Sequence, residues 1–233
     1  MKIKIYADGA DVKEMQGAAQ NGFVSGFTTN PTLMRKAGVT DYLDFARSAL
    51  SKVEGMPISF EVFSDEFEEM YIQAKKLAGL GGNVFVKIPV TNTRGEFSGD
   101  LIERLDSAGI KMNITAVFTM KQVREILHRL KSDSPHIISV FAGRIADTGV
   151  DPVTIMTEAL GEIKNHNTKL QLLWASPREV LNAYQADKIG CDIITMTPAL
   201  LNKLSFNGKD LEEFSLDTVK MFYDDAQNAG YSL

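Results

Sequence analysis

The sequence predicts an α/β fold, a single-domain (β/α)8 or TIM barrel, on three observations. Eight short runs rich in branched and aromatic residues have the pattern of β-strands. Their first residues recur about every 27 positions, which is the length of one strand plus one crossover helix. Helical patterns lie between the runs, as expected of a closed parallel barrel. The runs are residues 2–8, 23–27, 58–63, 83–89, 111–118, 136–141, 169–175 and 192–197.

One domain accounts for the whole length. With 233 residues, 44% of them hydrophobic, the chain can bury a core of its own. No linker or low-complexity segment divides it. We therefore expect residues 1–233 to form a single barrel domain with a C-terminal helical extension. A doubly wound open sheet is the structural alternative, because periodicity alone does not show that the sheet closes.

Charge and cysteine content argue against several classes of protein. The net charge is -5 and the sequence pI is about 5.3, without a basic run, so we expect no nucleic-acid partner. Cys191 is the only cysteine, which rules out an internal disulfide, and His128, His136 and His166 lack the spacing of a metal site. We expect no metal, no cofactor, no signal segment and no membrane span, and hence a reduced, cytoplasmic protein.

Polar residues recur at the carboxyl ends of the strands. In the first strand Ile5 and Ala7 should face the helices, which leaves Asp8 at the inner end, and in the third Phe60 faces outward while Glu61 faces inward. The other strands follow the same alternation. A barrel would bring all these groups to one rim. The predicted rim residues are Asp8, Asn30, Glu61, Lys87, Asn113, Thr115, Ser139, Phe141, Arg144, Ser176 and Arg178.

The fourth strand, NVFVKIP at 83–89, places a lysine in a buried setting. Lys87 lies on the opposite face from Val86 and Ile88, just before Pro89 ends the strand. Burial disfavours the ammonium form and can expose a free amine to attack a carbonyl, as in a Schiff-base lysine. The alternative is a structural lysine that pairs with a buried carboxylate or reaches into water.

Several strands run into a capping residue followed by proline, which predicts a helix N-terminus after the strand. The segment from Ser176 to Glu179 also fits a capping box. In a barrel these helix starts ring the carboxyl face, where backbone N–H groups favour a phosphate. Capping and anion binding can therefore share the site, although for Asp151 we prefer capping alone. The pairs are Asn30-Pro31, Asp151-Pro152, Ser176-Pro177 and Thr197-Pro198.

The rim combines one lysine, two carboxylates and two arginines. Together they predict a site that forms an imine and holds an anion. The carboxylates favour the charged form of Lys87, so either burial outweighs them, or Glu61 or Asp8 takes the lysine proton and then acts as a general acid or base.

Five segments resemble the signature segments of transaldolases. The match spans nearly the whole chain and is nearest to the short subfamily that includes fructose-6-phosphate aldolase, whose members are (β/α)8 barrels assembled as decamers of two pentameric rings. The resemblance implies sugar-phosphate substrates, a role in the pentose phosphate pathway and a homo-oligomer. The segments are GFTTNPTLM (26–34), VFVKIP (84–89), MNITAVF (112–118), ISVFAGRI (138–145) and LLWASPRE (172–179).

The resemblance also implies a role for each rim residue. It makes Lys87 the Schiff-base lysine, Asp8 and Glu61 the acid-base carboxylates, and Thr115 the residue that orders a catalytic water. The residues expected to bind substrate are Asn30 and Asn113 at the donor hydroxyls, Ser139 lining the site, Phe141 beside the imine, Arg144, Ser176 and Arg178 at the phosphate, and also Thr29.

Two positions favour group transfer over cleavage. The related aldolase has glutamine and tyrosine where this chain has Glu61 and Phe141. Phenylalanine cannot protonate the three-carbon enamine, which should persist until an acceptor aldehyde arrives. The expected reaction transfers dihydroxyacetone from fructose 6-phosphate or sedoheptulose 7-phosphate to an aldose phosphate. An aldolase that releases dihydroxyacetone and a non-catalytic sugar-phosphate binder are the alternatives. Segment 91–100 is longer than the family pattern leads us to expect.

Overall fold

The computed structural model describes residues 1–53 and 55–232, and its eight strands form a closed parallel barrel in chain order. The barrel closes where the first strand pairs with the eighth, Lys4 opposite Ile193. The predicted fold class is confirmed, and the open-sheet alternative is excluded. The strands are β1 (Lys4–Asp8), β2 (Gly26–Thr28), β3 (Ile58–Glu61), β4 (Val84–Pro89), β5 (Met112–Val117), β6 (Ile137–Val140), β7 (Gln171–Trp174) and β8 (Ile193–Met196).

Helices connect the strands and surround the barrel. Additional helices lie between β2 and β3 and between β6 and β7, and two follow β8. The helices are α1 (Val12–Gln20), α2 (Pro31–Lys36), α3 (Tyr42–Lys52), α4 (Phe67–Ala78), α5 (Gly99–Ser107), α6 (Met120–Arg129), α7 (Ala142–Ala146), α8 (Pro152–His166), α9 (Leu181–Ile189), α10 (Pro198–Lys203) and α11 (Leu211–Ala229), with a 3₁₀ turn at Leu204–Phe206.

Apolar side chains form two separate clusters. The larger cluster fills the layer between strands and helices and includes the outward-facing residues of every strand. The smaller cluster fills the barrel interior, mainly towards the amino ends of the strands. Towards the carboxyl ends, polar side chains line the interior. The interior cluster consists of Tyr6, Phe85, Ile137, Leu173, Ala175 and Ile193, with Phe141 against it.

The second strand differs from its predicted bounds. It begins at Gly26 rather than at Phe23, which lies in the preceding loop with 52% of its surface exposed. Gly26 is required because a Cβ there would lie 2.6 Å from the ring of Tyr6. In β5, the register with β6 shifts between Ile114 and Val117, and Ala116 adopts a left-handed conformation (φ 59°). This bulge directly follows Thr115.

Proline marks helix starts correctly at three of the four predicted pairs. Asn30 caps α2 by accepting from the N–H of Leu33 at 2.9 Å, Asp151 caps α8, and Thr197 precedes α10. The capping box at Ser176 is wrong. Ser176 has φ 56°, whereas a capping residue is usually extended, and α9 begins only at Leu181.

The C-terminal helix α11 is exposed along its length. None of its residues is buried, and the apolar side chains of Leu216, Val219, Phe222 and Tyr223 are each more than half exposed. Their spacing places them along one side of the helix. Within residues 1–53 and 55–232, no helix is both long and apolar enough to cross a membrane.

Candidate active site

Lys87 lies inside the barrel near the carboxyl end of β4, and only 7% of its surface is exposed. Its Nζ donates to the carbonyl oxygen of Thr29 at 2.8 Å and lies 3.0 Å from Oε2 of Glu61. Glu61 and Lys87 are direct partners in the register of β3 and β4. Both side chains therefore point into the interior from adjacent strands, and a proton can pass directly from the amine to the carboxylate.

Asp8 ends β1 near the same lysine. Its carboxylate accepts a hydrogen bond from Thr28 Oγ1 at 2.8 Å, and Thr28 is in turn hydrogen-bonded to Thr195. Burial raises the pKa of Asp8. The positive charge of Lys87 and the hydrogen bond from Thr28 oppose this increase but offset only part of it. A carboxyl group whose pKa is raised can exchange a proton with a substrate hydroxyl closer to neutral pH.

A line of hydrogen bonds crosses the interior beside Lys87. Ser139 Oγ donates to Asn113 Oδ1 at 2.6 Å, and Asn113 Nδ2 donates to Ser59 Oγ at 3.0 Å. These three residues are almost completely buried. Thr115 lies on the same strand as Asn113, and its buried hydroxyl makes no hydrogen bond to another residue of the described ranges. This hydroxyl is free to bind a water or a substrate group.

Thr29 and Asn30 have structural partners at the rim. The hydroxyl of Thr29 donates to the Ser59 carbonyl at 2.9 Å, so its interaction with Lys87 comes from the main chain. The side-chain oxygen of Asn30 caps α2. The Thr29 hydroxyl thus contacts the main chain of β3, and its expected contact with substrate remains a prediction.

Phe141 and Arg144 lie side by side after β6. The Arg144 guanidinium lies 5.2 Å from the centre of the Phe141 ring, and Phe118 packs against that ring at 5.7 Å. The backbone of Ser176 passes close to Gly143, as shown by the distance of 1.5 Å that a Cβ on this glycine would have from the Ser176 carbonyl oxygen. Glycine at 143 therefore allows the loops after β6 and β7 to meet.

Arg178 is held by a carboxylate that the sequence analysis did not identify. Its Nε donates to Asp147 at 2.9 and 3.1 Å, and its NH2 group donates to the same carboxylate. Hydrogen bonds from Arg178, together with the charge of Arg144, hold the pKa of Asp147 below its usual range. The two arginines thus lie around one carboxylate, with guanidinium surface still exposed to a ligand.

The structure sorts the predicted rim residues into three groups. Lys87, Glu61 and the Thr29 carbonyl are in direct contact, and the charges of Lys87 and Glu61 act on Asp8. Asn113 and Ser139 form a second group, with Thr115 on the same strand. Phe141, Arg144 and Arg178 form the third, next to Ser176. Within the described ranges, no hydrogen bond joins the first group to the arginines.

Five further residues support these groups. Thr28, Ser59 and Thr195 face the interior, and the alternation rule would have found them had it been applied to every strand. Tyr42 and Asp147 lie in helix α3 and beyond α7, where no periodic signal identifies them. Among the described residues, no group of three or more histidine, cysteine or acidic side chains could hold a metal ion.

Comparison with known proteins gives one family. The model of the Transaldolase/Fructose-6-phosphate aldolase family matches residues 5–233. A protein of Brucella ovis named "Probable transaldolase" is 34% identical over 222 residues, which cover 94% of this chain and 97% of that protein. One of the same name from Bdellovibrio bacteriovorus is 31% identical over 227 residues, covering 97% and 99%.

Among solved structures, dihydrodipicolinate synthase from Rhodopseudomonas palustris is similar in fold. The TM-score is 0.56 at 14% sequence identity, and the match covers 96% of this chain and 79% of that one. At this identity the similarity concerns the barrel alone.

Proposed function

We infer the chemistry from one premise, that the chain belongs to the transaldolase/fructose-6-phosphate aldolase family. We propose that it is a transaldolase, which transfers a dihydroxyacetone unit from fructose 6-phosphate or sedoheptulose 7-phosphate to an aldose phosphate. The observation that carries the proposal is the Lys87 amine, buried in the barrel within 3.0 Å of the Glu61 carboxylate. The lysine is the nucleophile, and the carboxylate is its proton acceptor.

The first half of the reaction forms an imine. Glu61 takes a proton from Lys87, and the free amine attacks the C2 carbonyl of the ketose phosphate. The carbonyl oxygen receives that proton back from Glu61 and a second proton from the amine nitrogen, and it leaves as water. The unpartnered hydroxyl of Thr115 supports a role in holding that water. Asp8 then removes the C4 hydroxyl proton, the C3–C4 bond breaks, and an aldose phosphate departs. Its raised pKa suits Asp8 to accept this proton and return it.

The second half reverses these steps with a new acceptor. The three-carbon enamine on Lys87 attacks the aldehyde of another aldose phosphate, Asp8 returns its proton to the new hydroxyl, and water hydrolyses the imine. Asn113 and Ser139 line this part of the barrel, and we assign them, with Asn30, to the hydroxyl groups of the bound unit.

The arginines suit the phosphate end of the substrate. Arg144 and Arg178 are exposed at the rim, where Arg178 pairs with Asp147 and the charge of Arg144 also acts on that carboxylate, and the Ser176 backbone lies beside Gly143. Guanidinium groups bind phosphate through paired, charge-assisted hydrogen bonds. We assign these three residues to the substrate phosphate, with Asp147 orienting Arg178.

Trapping of the imine tests the proposal. Incubation with fructose 6-phosphate and borohydride should add a stable mass to Lys87, located by peptide mass spectrometry. Lys164, which also pairs with a carboxylate and a carbonyl, serves as an internal control and should remain unmodified. Modification of a different lysine, or of none, would contradict the proposed nucleophile and favour a sugar-phosphate binder.

The aldolase alternative depends on Phe141. Its ring carries no acidic proton, so with fructose 6-phosphate alone the enzyme should stall after the donor half-reaction until an aldose phosphate is added. Phe141→Tyr should raise acceptor-independent release of dihydroxyacetone, by about 10²-fold if the new hydroxyl is well placed. Fast acceptor-free release by the wild type would mean that the chain is an aldolase.

We also propose that the chain forms a homo-oligomer, a pentamer or decamer, in the cytoplasm. The exposed apolar side of α11 supports a contact with a second copy. The lone buried Cys191 suits a reducing compartment. Light scattering of the full chain and of a chain truncated after Asp210 tests the assembly, and a monomeric full chain would contradict it.

A further inference from the structure

Tyr42, the first residue of α3, makes two hydrogen bonds to the main chain of Glu61. Its hydroxyl donates to the Glu61 carbonyl at 2.7 Å and accepts from the Glu61 N–H at 2.9 Å. The ring packs edge-on against Phe60 and is tilted against Phe63. One hydroxyl group therefore satisfies both polar main-chain groups of the residue that pairs with Lys87.

These bonds replace two that the sheet does not form. The ladder between β2 and β3 reaches the N–H of Thr29, which donates to the Ser59 carbonyl at 3.1 Å. In a regular parallel ladder the next bond would run from the Glu61 N–H to the Thr29 carbonyl. The one after it would run from the N–H of residue 31 to the Glu61 carbonyl. Residue 31 is a proline, which has no N–H.

Opening the ladder at this point releases a carbonyl for the lysine. The Thr29 oxygen accepts from Lys87 Nζ at 2.8 Å instead of from the Glu61 N–H. Without another donor and acceptor, the Glu61 main chain would be left with unpaired groups, which is costly at a half-buried site. Tyr42 supplies both.

We propose that Tyr42 is a positioning residue for the Lys87–Glu61 pair, since its hydroxyl takes the place of the ladder between β2 and β3 and leaves the Thr29 carbonyl to hold Lys87. The inference rests on the proposed function of Lys87 as the nucleophile. If the hydroxyl is lost, the Glu61 N–H can return to the Thr29 carbonyl and compete with the amine. The amine and carboxylate then lose the alignment that imine formation needs.

Tyr42→Phe tests the proposal, because it removes the hydroxyl and keeps the ring packing. A small misplacement of a reacting group is costly, so we expect kcat and the borohydride trapping rate to fall by about ten-fold or more. KM should change little, because the contacts of Tyr42 are with Glu61, Phe60 and Phe63 and not with the arginines assigned to the phosphate. Tyr71→Phe is the matched control on α4, where the ring stacks with Lys75 and Arg104. It should behave as the wild type.

A second measurement needs no variant. In the wild type the Tyr42 hydroxyl should protect the Glu61 N–H from hydrogen exchange. The Thr29 carbonyl, which would accept from this N–H in a regular ladder, is bonded to Lys87 instead. Rapid exchange of this amide in the wild type, or trapping by Tyr42→Phe at the wild-type rate, would overturn the inference. Failure of the wild type to be labelled at Lys87 would instead overturn the proposed function.

Discussion

Lys87 and Lys164 make the same two kinds of contact at opposite ends of the barrel. Lys87 binds the Thr29 carbonyl and Glu61 at the carboxyl ends of the strands, and Lys164 binds the Leu170 carbonyl at 2.7 Å and Asp192 at 2.8 Å near their amino ends. The Lys87 side chain is 8% exposed and that of Lys164 is 34% exposed. Contact type alone therefore does not distinguish a nucleophile from a structural lysine. The exposure of the side chain and the groups around it distinguish the two lysines.

Two aspartates, the buried Asp106 and the partly buried Asp8, show the same contrast more clearly. At the amino end, Asp106 accepts from the N–H groups of Lys131 and Ser132, from the Ser132 hydroxyl and from the ring of His136. These bonds hold its pKa below the usual range despite burial. At the carboxyl end, Asp8 accepts one side-chain hydrogen bond, from Thr28, and burial raises its pKa. The amino end fixes its charges in place, whereas the carboxyl end leaves proton-transfer groups free to react.

The largest expected effect comes from comparing the two lysines directly. Lys87→Met removes the proposed nucleophile, and kcat should fall by on the order of 10⁴-fold or more, as for loss of a covalent nucleophile elsewhere. Lys164→Met removes a partly exposed ion pair and should leave kcat and KM unchanged. Steady-state transfer of dihydroxyacetone measures both. Similar losses in the two variants would remove the distinction between the ends of the barrel.

The second prediction concerns stability at the amino end. Asp106→Asn places an amide NH2 group among hydrogen-bond donors, and the free energy of unfolding should fall by about 3 kcal/mol. Asp133→Asn is the control, because the Asp133 carboxylate forms an exposed ion pair with Lys169, and its loss should cost about 0.5 kcal/mol or less. Denaturant unfolding at neutral pH measures both, while kcat of the folded variants should match the wild type. Equal stabilities would show that the Asp106 hydrogen bonds contribute nothing.

The third prediction concerns the arginines of the rim. Arg178→Ala should raise KM for phosphorylated substrates by roughly 10- to 100-fold, the contribution of one or two charge-assisted hydrogen bonds. Arg124→Ala is a matched control, since Arg124 also pairs with carboxylates, Glu158 and Glu162, but on the outer helices. A fall in kcat with unchanged KM would contradict the phosphate assignment, because loss of uniform binding appears in KM.

The sequence predicted the barrel well because its signals are periodic. Strand spacing predicts the eight strands, and the alternation of inward and outward residues places Asp8, Glu61 and Lys87 at one rim. The signal weakened where the backbone departs from regular geometry. After β7, Ser176 adopts a left-handed conformation, so the alternation of inward and outward side chains does not continue past that strand. The proline that follows Ser176 does not mark the start of α9.

Partnerships between distant segments could not be predicted. The ion pair of Asp147 with Arg178 joins residues 31 positions apart, and the Tyr42 hydroxyl reaches a strand 19 positions away. Neither Asp147 nor Tyr42 lies on a strand, so the alternation of strand faces does not identify them. One residue of the sequence, Pro31, does indicate that the ladder beside Glu61 is interrupted. Which residue supplies the missing hydrogen bonds depends on how α3 packs on β3.

The last prediction sharpens the contrast between the two aspartates through the pH dependence of activity. If Asp8 removes the C4 hydroxyl proton, it must be ionised, so kcat/KM should fall as the pH drops through its pKa. That pKa lies above the ordinary value of 3.8, because burial outweighs the opposing effects of Lys87 and Thr28. Thr28→Val removes one opposing effect and should move the acid limb to higher pH, by about half to one unit for a hydrogen bond worth about 1 kcal/mol.

The control for this shift is Thr157→Val, whose hydroxyl bonds to the Val153 carbonyl on α8, away from the rim. Its acid limb should coincide with that of the wild type. The profile should be measured with saturating acceptor, so that the donor half-reaction controls kcat/KM for the ketose phosphate. A limb that moves to lower pH in Thr28→Val, or that stays in place, would mean that Asp8 is not the titrating base.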